Sequence, residues 1–244
     1  MMSGPVVDTA SAQEFQREVL QLMRREDLES IAADLARKSA ALRELLGGGA
    51  QRLDRAALRQ VLRWVFATRR KADRILDEIG PQRVGAAIAA LLSPDEAPAV
   101  RIDEFDAVFA GLGDLAFDLP GELLHFSYPD QYWLWTRWMW DPRTETGALA
   151  LVTTDDVDLT EGASRGAVYL TVGQATAFVE QTGKAAGFTA AGPGLLGTDV
   201  FLAAVYGIYM YTVLRMRMTQ EFNRVVPALP DLVRRLLGVY HLEV

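Results

Sequence analysis

The chain has 244 residues, of which none is a cysteine and only two are histidines. Without thiolates it cannot by itself form a disulfide framework, a zinc ribbon, an iron–sulfur cluster or a thiol nucleophile. The two histidines, His125 and His241, are too few to favour the triads in which a histidine activates a serine or a cysteine. The absence of cysteine also favours a reducing compartment.

Targeting signals and nucleotide motifs are missing as well. Residues 1–8 show neither the basic n-region nor the apolar h-region of a secretory signal, so we expect a cytoplasmic protein. The sequence contains no Gly-x-Gly-x-x-Gly fingerprint and no Walker loop. We therefore predict no cofactor.

The residues that are present suit a folded protein with an uneven charge distribution. Half of them are hydrophobic and 23% are charged, which excludes long disorder. Residues 1–90 contain 15 Lys and Arg against 12 Asp and Glu, whereas residues 91–244 contain 10 against 20. Such asymmetry is typical of a protein with a face that attracts anions or another protein. We divide the chain into a helical N-terminal region, 1–92, and an acidic, aromatic-rich, mainly helical C-terminal region, 93–244, although one continuous domain would also fit.

Apolar residues at helical spacing predict a mainly α, multi-helix fold. One bent helix or two helices in series cover residues 11–46, and Asp54 begins a helix that runs to about residue 78. The last long helix is predicted over residues 199–224. Its uncharged stretch, 200–214, measures about 22 Å as a helix, which is shorter than the roughly 30 Å of a bilayer core. We therefore interpret it as a buried helix and predict no membrane span.

One region of the chain is predicted to form two short strands, and another fits either a strand or a helix. Residues 148–152 and 167–171 have the composition of short strands, which predicts a small two-stranded β element near residues 147–171. The run 132–140 is aromatic on every face and is compatible with either a buried strand or a buried helix.

An arginine stripe follows one side of the predicted helix 55–78, opposite its apolar side. The arginines are Arg55, Arg59, Arg63, Arg70 and Arg74. A line of exposed guanidinium groups can follow a phosphate backbone or dock an acidic partner. The same pattern also fits a solvated helix face, since nearby carboxylates partly neutralise its C-terminal end. A pI near 5.0 favours a protein partner over nucleic acid.

The segment Gly111-Leu112-Gly113 resembles the Gly-hydrophobic-Gly hairpin of helix-hairpin-helix DNA-binding modules. Such a hairpin points backbone amides at a phosphate. The sequence departs from that motif at Phe117, where a small residue is usual, and at Asp114, whose charge opposes a phosphate. A plain glycine-terminated helix is the simpler interpretation.

Glu122 and His125 have the Glu-x-x-His spacing that places a carboxylate and an imidazole on one helical face, as in di-iron bundles. Those bundles need two such pairs, and this chain has one. We therefore predict no metal site and keep Glu122 and His125 only as weak candidates. Together with Asp130 they would carry any acid–base chemistry.

Four tryptophans, Trp133, Trp135, Trp138 and Trp140, fall within eight residues. Such a concentration forms either an aromatic core or an anchor for a partner, because indole combines a large apolar area with one hydrogen-bond donor. They join the arginine stripe as candidate partner-binding residues.

These patterns favour a non-enzymatic interaction protein. Acid–base chemistry is sparse in the sequence, while a basic and an aromatic surface are both candidates for contact. We expect an assembly or accessory subunit of a cytoplasmic complex, with a protein partner or a homo-oligomer. The alternative is a nucleic-acid-binding protein that uses the arginine face and the Gly111–Gly113 hairpin. An enzyme built on Glu122, His125 and Asp130 comes third.

Overall fold

Ten α-helices make up most of the computed structural model, which describes residues 6–187, 194–217 and 227–240. The fold is mainly helical, as the sequence predicts. The helices are α1 (Thr9–Leu22), α2 (Arg25–Leu46), α3 (Arg55–Trp64), α4 (Ala72–Ile79), α5 (Pro81–Leu92), α6 (Pro98–Phe109), α7 (Leu119–Ser127), α8 (Arg165–Ala186), α9 (Leu195–Arg217) and α10 (Leu229–Leu236).

The first predicted helical stretch, 11–46, consists of two helices. α1 is capped by Asp8, whose carboxylate accepts hydrogen bonds from the amides of Ala10 and Ser11. The chain then leaves the helical conformation at Met23 and Arg24, and α2 begins where Asp27 accepts a hydrogen bond from the Arg24 amide. Of the two alternatives left open by the sequence, two helices in series is therefore the correct one.

The single helix predicted from Asp54 to residue 78 is wrong. Asp54 does cap α3, since its carboxylate accepts a hydrogen bond from the Ala57 amide, but α3 ends at Trp64 and α4 begins at Ala72. The buried hydroxyl of Thr68 donates to the Leu62 carbonyl oxygen at 2.6 Å. This bond satisfies one of the carbonyls that a helix leaves free at its C-terminus. The arginine stripe is consequently divided between α3, the turn and α4.

The predicted two-stranded β element is not found. The part of the chain that the structure describes contains no sheet and only two isolated bridges, Val7–Thr153 and Asp141–Thr146. Residues 167–171 lie inside α8, and Leu149–Leu151 form a 3₁₀ turn. The prediction failed because a short apolar run fits a helix that is buried on several sides as well as it fits a strand.

The aromatic run 132–140 is neither of the predicted alternatives, because it forms an irregular segment with a turn. The amides of Met139 and Trp140 both donate to the Thr136 carbonyl, at 2.9 and 3.1 Å. The Trp135 indole N–H donates to the Trp140 carbonyl at 3.0 Å. These bonds satisfy backbone groups in a segment whose large rings occupy the core.

One continuous hydrophobic cluster contains residues from both predicted regions. Within it α2 packs against α7 and α9, and α9 also packs against α1, α8 and α10. By length and composition alone, Leu196–Val213 of α9 is the one described helix segment that could cross a membrane, and 61% of this segment is buried inside the protein. The predicted continuation of this helix to residue 224 lies outside the described residues.

Candidate functional site

A groove of about 850 Å³ opens beside the turn that joins α3 to α4. We call it the basic groove. Its walls come from α3, this turn, the start of α4, and the end of α10 with the residues that follow it. Six cationic side chains line it, namely Arg59, Arg63, Arg69, Arg70, Lys71 and Arg235. Among the described residues, Asp73 is the only acidic residue that lines the groove.

Three arginines of the predicted stripe are paired with carboxylates. The pairs are Arg55–Asp77 at 2.7 Å, Arg59–Asp73 at 2.9 Å and Arg74–Glu78 at 2.6 Å. All six side chains are substantially exposed, so each pair contributes little to stability. Of these three arginines only Arg59 lines the basic groove.

The remaining cations of the groove are available to a ligand to different degrees. Arg63, Arg70 and Lys71 are exposed and have no carboxylate partner among the described residues. Arg69 donates to the Tyr240 carbonyl oxygen at 3.2 Å, and the Arg235 guanidinium lies 4.0 Å from the centre of the Tyr240 ring. Neither of these contacts neutralises charge. The groove therefore gathers positive charge that described carboxylates only partly balance.

An exposed aromatic side chain lies among these cations. Phe66, in the turn after α3, is 49% exposed and lines the groove. A phenyl ring this exposed offers a partner an apolar contact within a cationic wall.

The structure also brings the glycine hairpin close to the arginines. Residues 110–116 form two short 3₁₀ turns separated by a kink at Gly113, which adopts φ 53° and ψ −133°, a backbone conformation suited to glycine. Leu115, two residues further on, lines the basic groove. The Phe117 ring contacts the Trp135 ring edge-on. The Arg165 guanidinium lies over the Phe117 ring, 4.1 Å from the centre of that ring. The residue that departs from the hairpin motif thus has a structural role.

A second group of charges is fully buried and forms the buried charge cluster. Lys38 comes from α2, Glu122 and His125 from α7, and Asp199 from α9. The Lys38 Nζ lies 2.7 Å from Glu122 Oε2, and His125 Nε2 lies 2.7 Å from Asp199 Oδ2. All four side chains are at most 2% exposed. In this structure no substrate can touch them.

The position of His125 determines how many protons the cluster holds. Its Nδ1 lies 2.7 Å from the Tyr132 carbonyl oxygen, which can only accept a hydrogen bond, so Nδ1 carries a proton. Its Nε2 lies 2.7 Å from Asp199 Oδ2, and a lone pair this close to a carboxylate oxygen would be repelled, so Nε2 carries a second proton. Burial is the largest single effect and disfavours the imidazolium, but the charge and hydrogen bond of Asp199 and the hydrogen bond to the Tyr132 carbonyl together outweigh it and raise the pKa of His125. The pair therefore binds one proton more than a neutral histidine beside a carboxylate would.

Lys38 and Glu122 form the other pair of the buried charge cluster, in which the Lys38 ammonium donates a hydrogen bond to the Glu122 carboxylate. Lys38 also donates to the Leu237 carbonyl at 3.0 Å, and its Nζ lies 4.0 Å from the centre of the Phe126 ring. Burial lowers the pKa of Lys38 and raises the pKa of Glu122, because each loses hydration as an ion.

The predicted enzyme residues are thus only partly brought together. Glu122 and His125 share the cluster, whereas Asp130 is exposed. Among the described residues no three His, Asp or Glu side chains are grouped as a metal site would require. Sequence reasoning missed Lys38, although a charged residue between Leu35 and Leu42 on an apolar helix face is a usable signal. It also missed Asp199, which it placed only at the start of the last long helix.

The tryptophans proposed as partner contacts lie mainly in the core. Trp135, Trp138 and Trp140 are 2%, 7% and 5% exposed, and Trp133 is partly buried against the core. The ring of Trp133 packs so closely on α8 that a Cβ at Gly173 would lie 2.1 Å from it. Three of the four therefore offer almost no surface to a partner in this structure.

No known family model matches the chain, and no significantly similar curated protein or solved structure was found.

Proposed function

We propose that the protein is a non-enzymatic interaction protein, an assembly or accessory subunit, whose basic groove binds an acidic segment of a partner protein. The observation that carries this proposal is the gathering of six cationic side chains around one concave groove, three of them without a carboxylate partner among the described residues. Guanidinium groups bind carboxylates through paired N–H donors, so Arg63 and Arg70 supply both charge and directionality.

The exposed ring of Phe66 indicates that the partner segment also contains an apolar residue. Acidic residues alone would bind weakly, because exposed ion pairs contribute at most about 1 kcal/mol each. An apolar residue placed on Phe66 adds buried apolar area next to the groove cations, and protein interfaces usually combine an apolar core with a polar rim. We therefore expect an acidic segment that carries at least one apolar anchor.

The buried charge cluster supports an interaction protein over an enzyme. Its His125 and Glu122 are the residues on which acid–base chemistry would depend, yet both are at most 2% exposed and already bind other groups of the protein. They fit a structural role in joining α2, α7 and α9.

Binding of nucleic acid is the second candidate function. It is favoured by the contact of the 110–116 segment with the groove through Leu115, and by Phe66, on which a base could stack. The charge of the rest of the molecule opposes it, since residues 91–244 contain twice as many acidic as basic residues. A polyanion that extends beyond the groove meets this repulsion within a Debye length of about 8 Å.

The proposal is tested with a fluorescein-labelled, Glu-rich peptide that contains one central Leu. We expect saturable binding by fluorescence anisotropy with a dissociation constant of about 10 µM. The double variant Arg63→Gln/Arg70→Gln removes two exposed groove cations and is expected to weaken binding about tenfold.

The matched control is Arg17→Gln/Arg52→Gln, which removes two exposed arginines that do not line the groove. It has the same net charge as the groove variant and should keep wild-type affinity. Equal weakening in both double variants would mean that overall charge, rather than the groove, attracts the peptide, and would refute the proposal.

A further inference from the structure

A separate hollow of about 300 Å³ lies between α5 and α6 and shares no lining residue with the basic groove. Each helix contributes four residues at the i, i+3, i+4, i+7 spacing of a single helix face. They are Arg83, Ala86, Ala87 and Ala90 from α5, and Arg101, Glu104, Phe105 and Val108 from α6. The three alanines create the space, because their short side chains face the larger Phe105 and Val108 across the gap.

Arg101 is the buried charged residue in the lining of this hollow. It is only 4% exposed. Its Nη1 donates to the Leu91 carbonyl at 2.7 Å and its Nη2 donates to the Tyr132 hydroxyl at 2.8 Å. The guanidinium also lies 5.2 Å from the centre of the Tyr132 ring. These contacts fix the side chain in one orientation at the wall of the hollow.

The hydrogen-bonding capacity of Arg101 is nevertheless incomplete. The buried Nε–H has no hydrogen-bond partner, and no carboxylate of the described residues forms an ion pair with the guanidinium. A guanidinium has five N–H donors, of which the two bonds to neutral oxygens use two. A buried cation without a counter-charge is strongly unfavourable, so such a group is expected to meet an anion.

We propose that the hollow between α5 and α6 binds a small organic anion, a carboxylate that carries a short apolar chain. The carboxylate is attracted by the charge of the Arg101 guanidinium and accepts hydrogen bonds from N–H groups that Leu91 and Tyr132 leave unused. The apolar chain lies along the three alanines and against Phe105 and Val108. A volume of about 300 Å³ is at the lower end of small-molecule sites, which limits the ligand to a few carbon atoms beyond the carboxylate.

The charges at the rim define the preferred ligand further. Arg83 and Glu104 are exposed and line the same hollow, one from each helix. Glu104 is one helical turn from Arg101 and repels an anion, so a single carboxylate is favoured over a dianion such as phosphate. Removing that charge should strengthen binding.

Hexanoate is the probe for this site, and hexanamide, which has the same shape without the charge, is its control. Isothermal titration calorimetry of the full-length protein is expected to show one hexanoate site with a dissociation constant of about 1 mM. Hexanamide and inorganic phosphate should bind at least about tenfold more weakly, since each lacks either the charge or the chain.

Variants that leave Arg101 in place test whether hexanoate binds in the hollow between α5 and α6. Ala86→Leu puts a larger side chain into the hollow from an exposed position and should weaken hexanoate binding about tenfold or more. Ala107→Leu makes the same change at an exposed α6 position that does not line the hollow and should keep wild-type affinity. Glu104→Gln should strengthen hexanoate binding about two- to fivefold.

The proposal is overturned if hexanoate does not bind, if hexanamide binds equally well, or if phosphate binds more tightly than hexanoate. Equal affinity in Ala86→Leu and wild type would place the ligand elsewhere and would also overturn it. None of these results depends on the acidic peptide, because the basic groove and the hollow have separate linings.

Discussion

At the scale of single residues, the buried charge cluster explains how a helical core tolerates four charged side chains. Lys38 is paired with Glu122, and His125 is paired with Asp199. The attraction within each pair offsets the desolvation cost of its two ions, so removing one partner leaves the other uncompensated. The cluster therefore makes the position of α9 against α2 and α7 depend on a few specific contacts.

Replacing His125 by Leu is expected to lower the free energy of unfolding by about 3–5 kcal/mol, because Asp199 then remains buried without a counter-charge. The double variant His125→Leu/Asp199→Leu should recover much of that loss, since two apolar side chains need no partner. Urea denaturation of the two variants and of an exposed control, Asp130→Asn, measures the difference. A single variant as stable as the control would mean that the His125–Asp199 contact is not formed.

The protonation of the His125–Asp199 pair should also make the free energy of unfolding depend on pH. The folded pKa of His125 lies above its usual value, so the folded protein binds this proton more tightly than the unfolded chain does. Its stabilising contribution is complete below about pH 6.5 and is lost as the pH rises through the folded pKa. Glu122, whose pKa is also raised, acts in the same direction, and Lys38, whose pKa is lowered, acts in the opposite direction at high pH.

We expect the wild type to lose stability as the pH rises above about 6.5, and Asp199→Asn to lose much less over the same range. The variant keeps His125 but removes the carboxylate that holds its proton. Denaturation midpoints measured across this range test the prediction. A wild type and a variant with parallel pH profiles would contradict the assignment of the extra proton to the His125–Asp199 pair.

At the scale of helices, the sequence predicted the helical stretches 11–46 and 54–78 but did not determine where they are interrupted. The capping residue Asp54 was identified correctly, since N-caps are local signals. The break between α3 and α4 was missed because it depends on a tertiary feature, the burial of Thr68 with its hydroxyl on the Leu62 carbonyl. Periodicity in residues 55–78 continues across the turn and could not reveal it.

The strand predicted over 167–171 failed for a similar reason. The close crossing of α6 and α8 that surrounds it is made possible by Gly166, whose amide donates to the Asp103 carboxylate at 2.8 Å. No local sequence pattern indicates that a backbone passes this closely. The basic groove shows the same limit of sequence reasoning. The sequence revealed the arginine stripe, but it could not reveal that Arg235 of α10 lies beside these arginines.

Gly166→Ala should therefore be strongly destabilising. A Cβ at this position would lie 1.9 Å from the Ala99 carbonyl oxygen, which is backbone and cannot rotate away. We expect a loss of about 3 kcal/mol in the free energy of unfolding, because α6 and α8 must separate. The matched control is Gly111→Ala, where no atom lies within 4 Å, and it should change stability by less than about 0.5 kcal/mol. Equal stability of the two variants would contradict the close crossing.

At the scale of the whole molecule, charge is separated along the chain while the core is continuous. The groove cations come mostly from the first 90 residues, although Arg235 joins them from the far end of the sequence. The rest of the chain is acidic, so the groove is a local exception on a molecule of net charge −7. This arrangement favours a short acidic segment over a long polyanion, since only the former stays within the groove.

The most direct test of this account is a parallel titration of the wild-type protein, at about 0.15 M salt, with the acidic Leu-containing peptide and with a random-sequence single-stranded oligonucleotide. The account predicts that the peptide binds with a dissociation constant of about 10 µM and that the oligonucleotide binds at least about tenfold more weakly. Sub-micromolar, salt-sensitive binding of the oligonucleotide, together with no binding of the peptide, would contradict the proposed function and identify the basic groove as a nucleic-acid site.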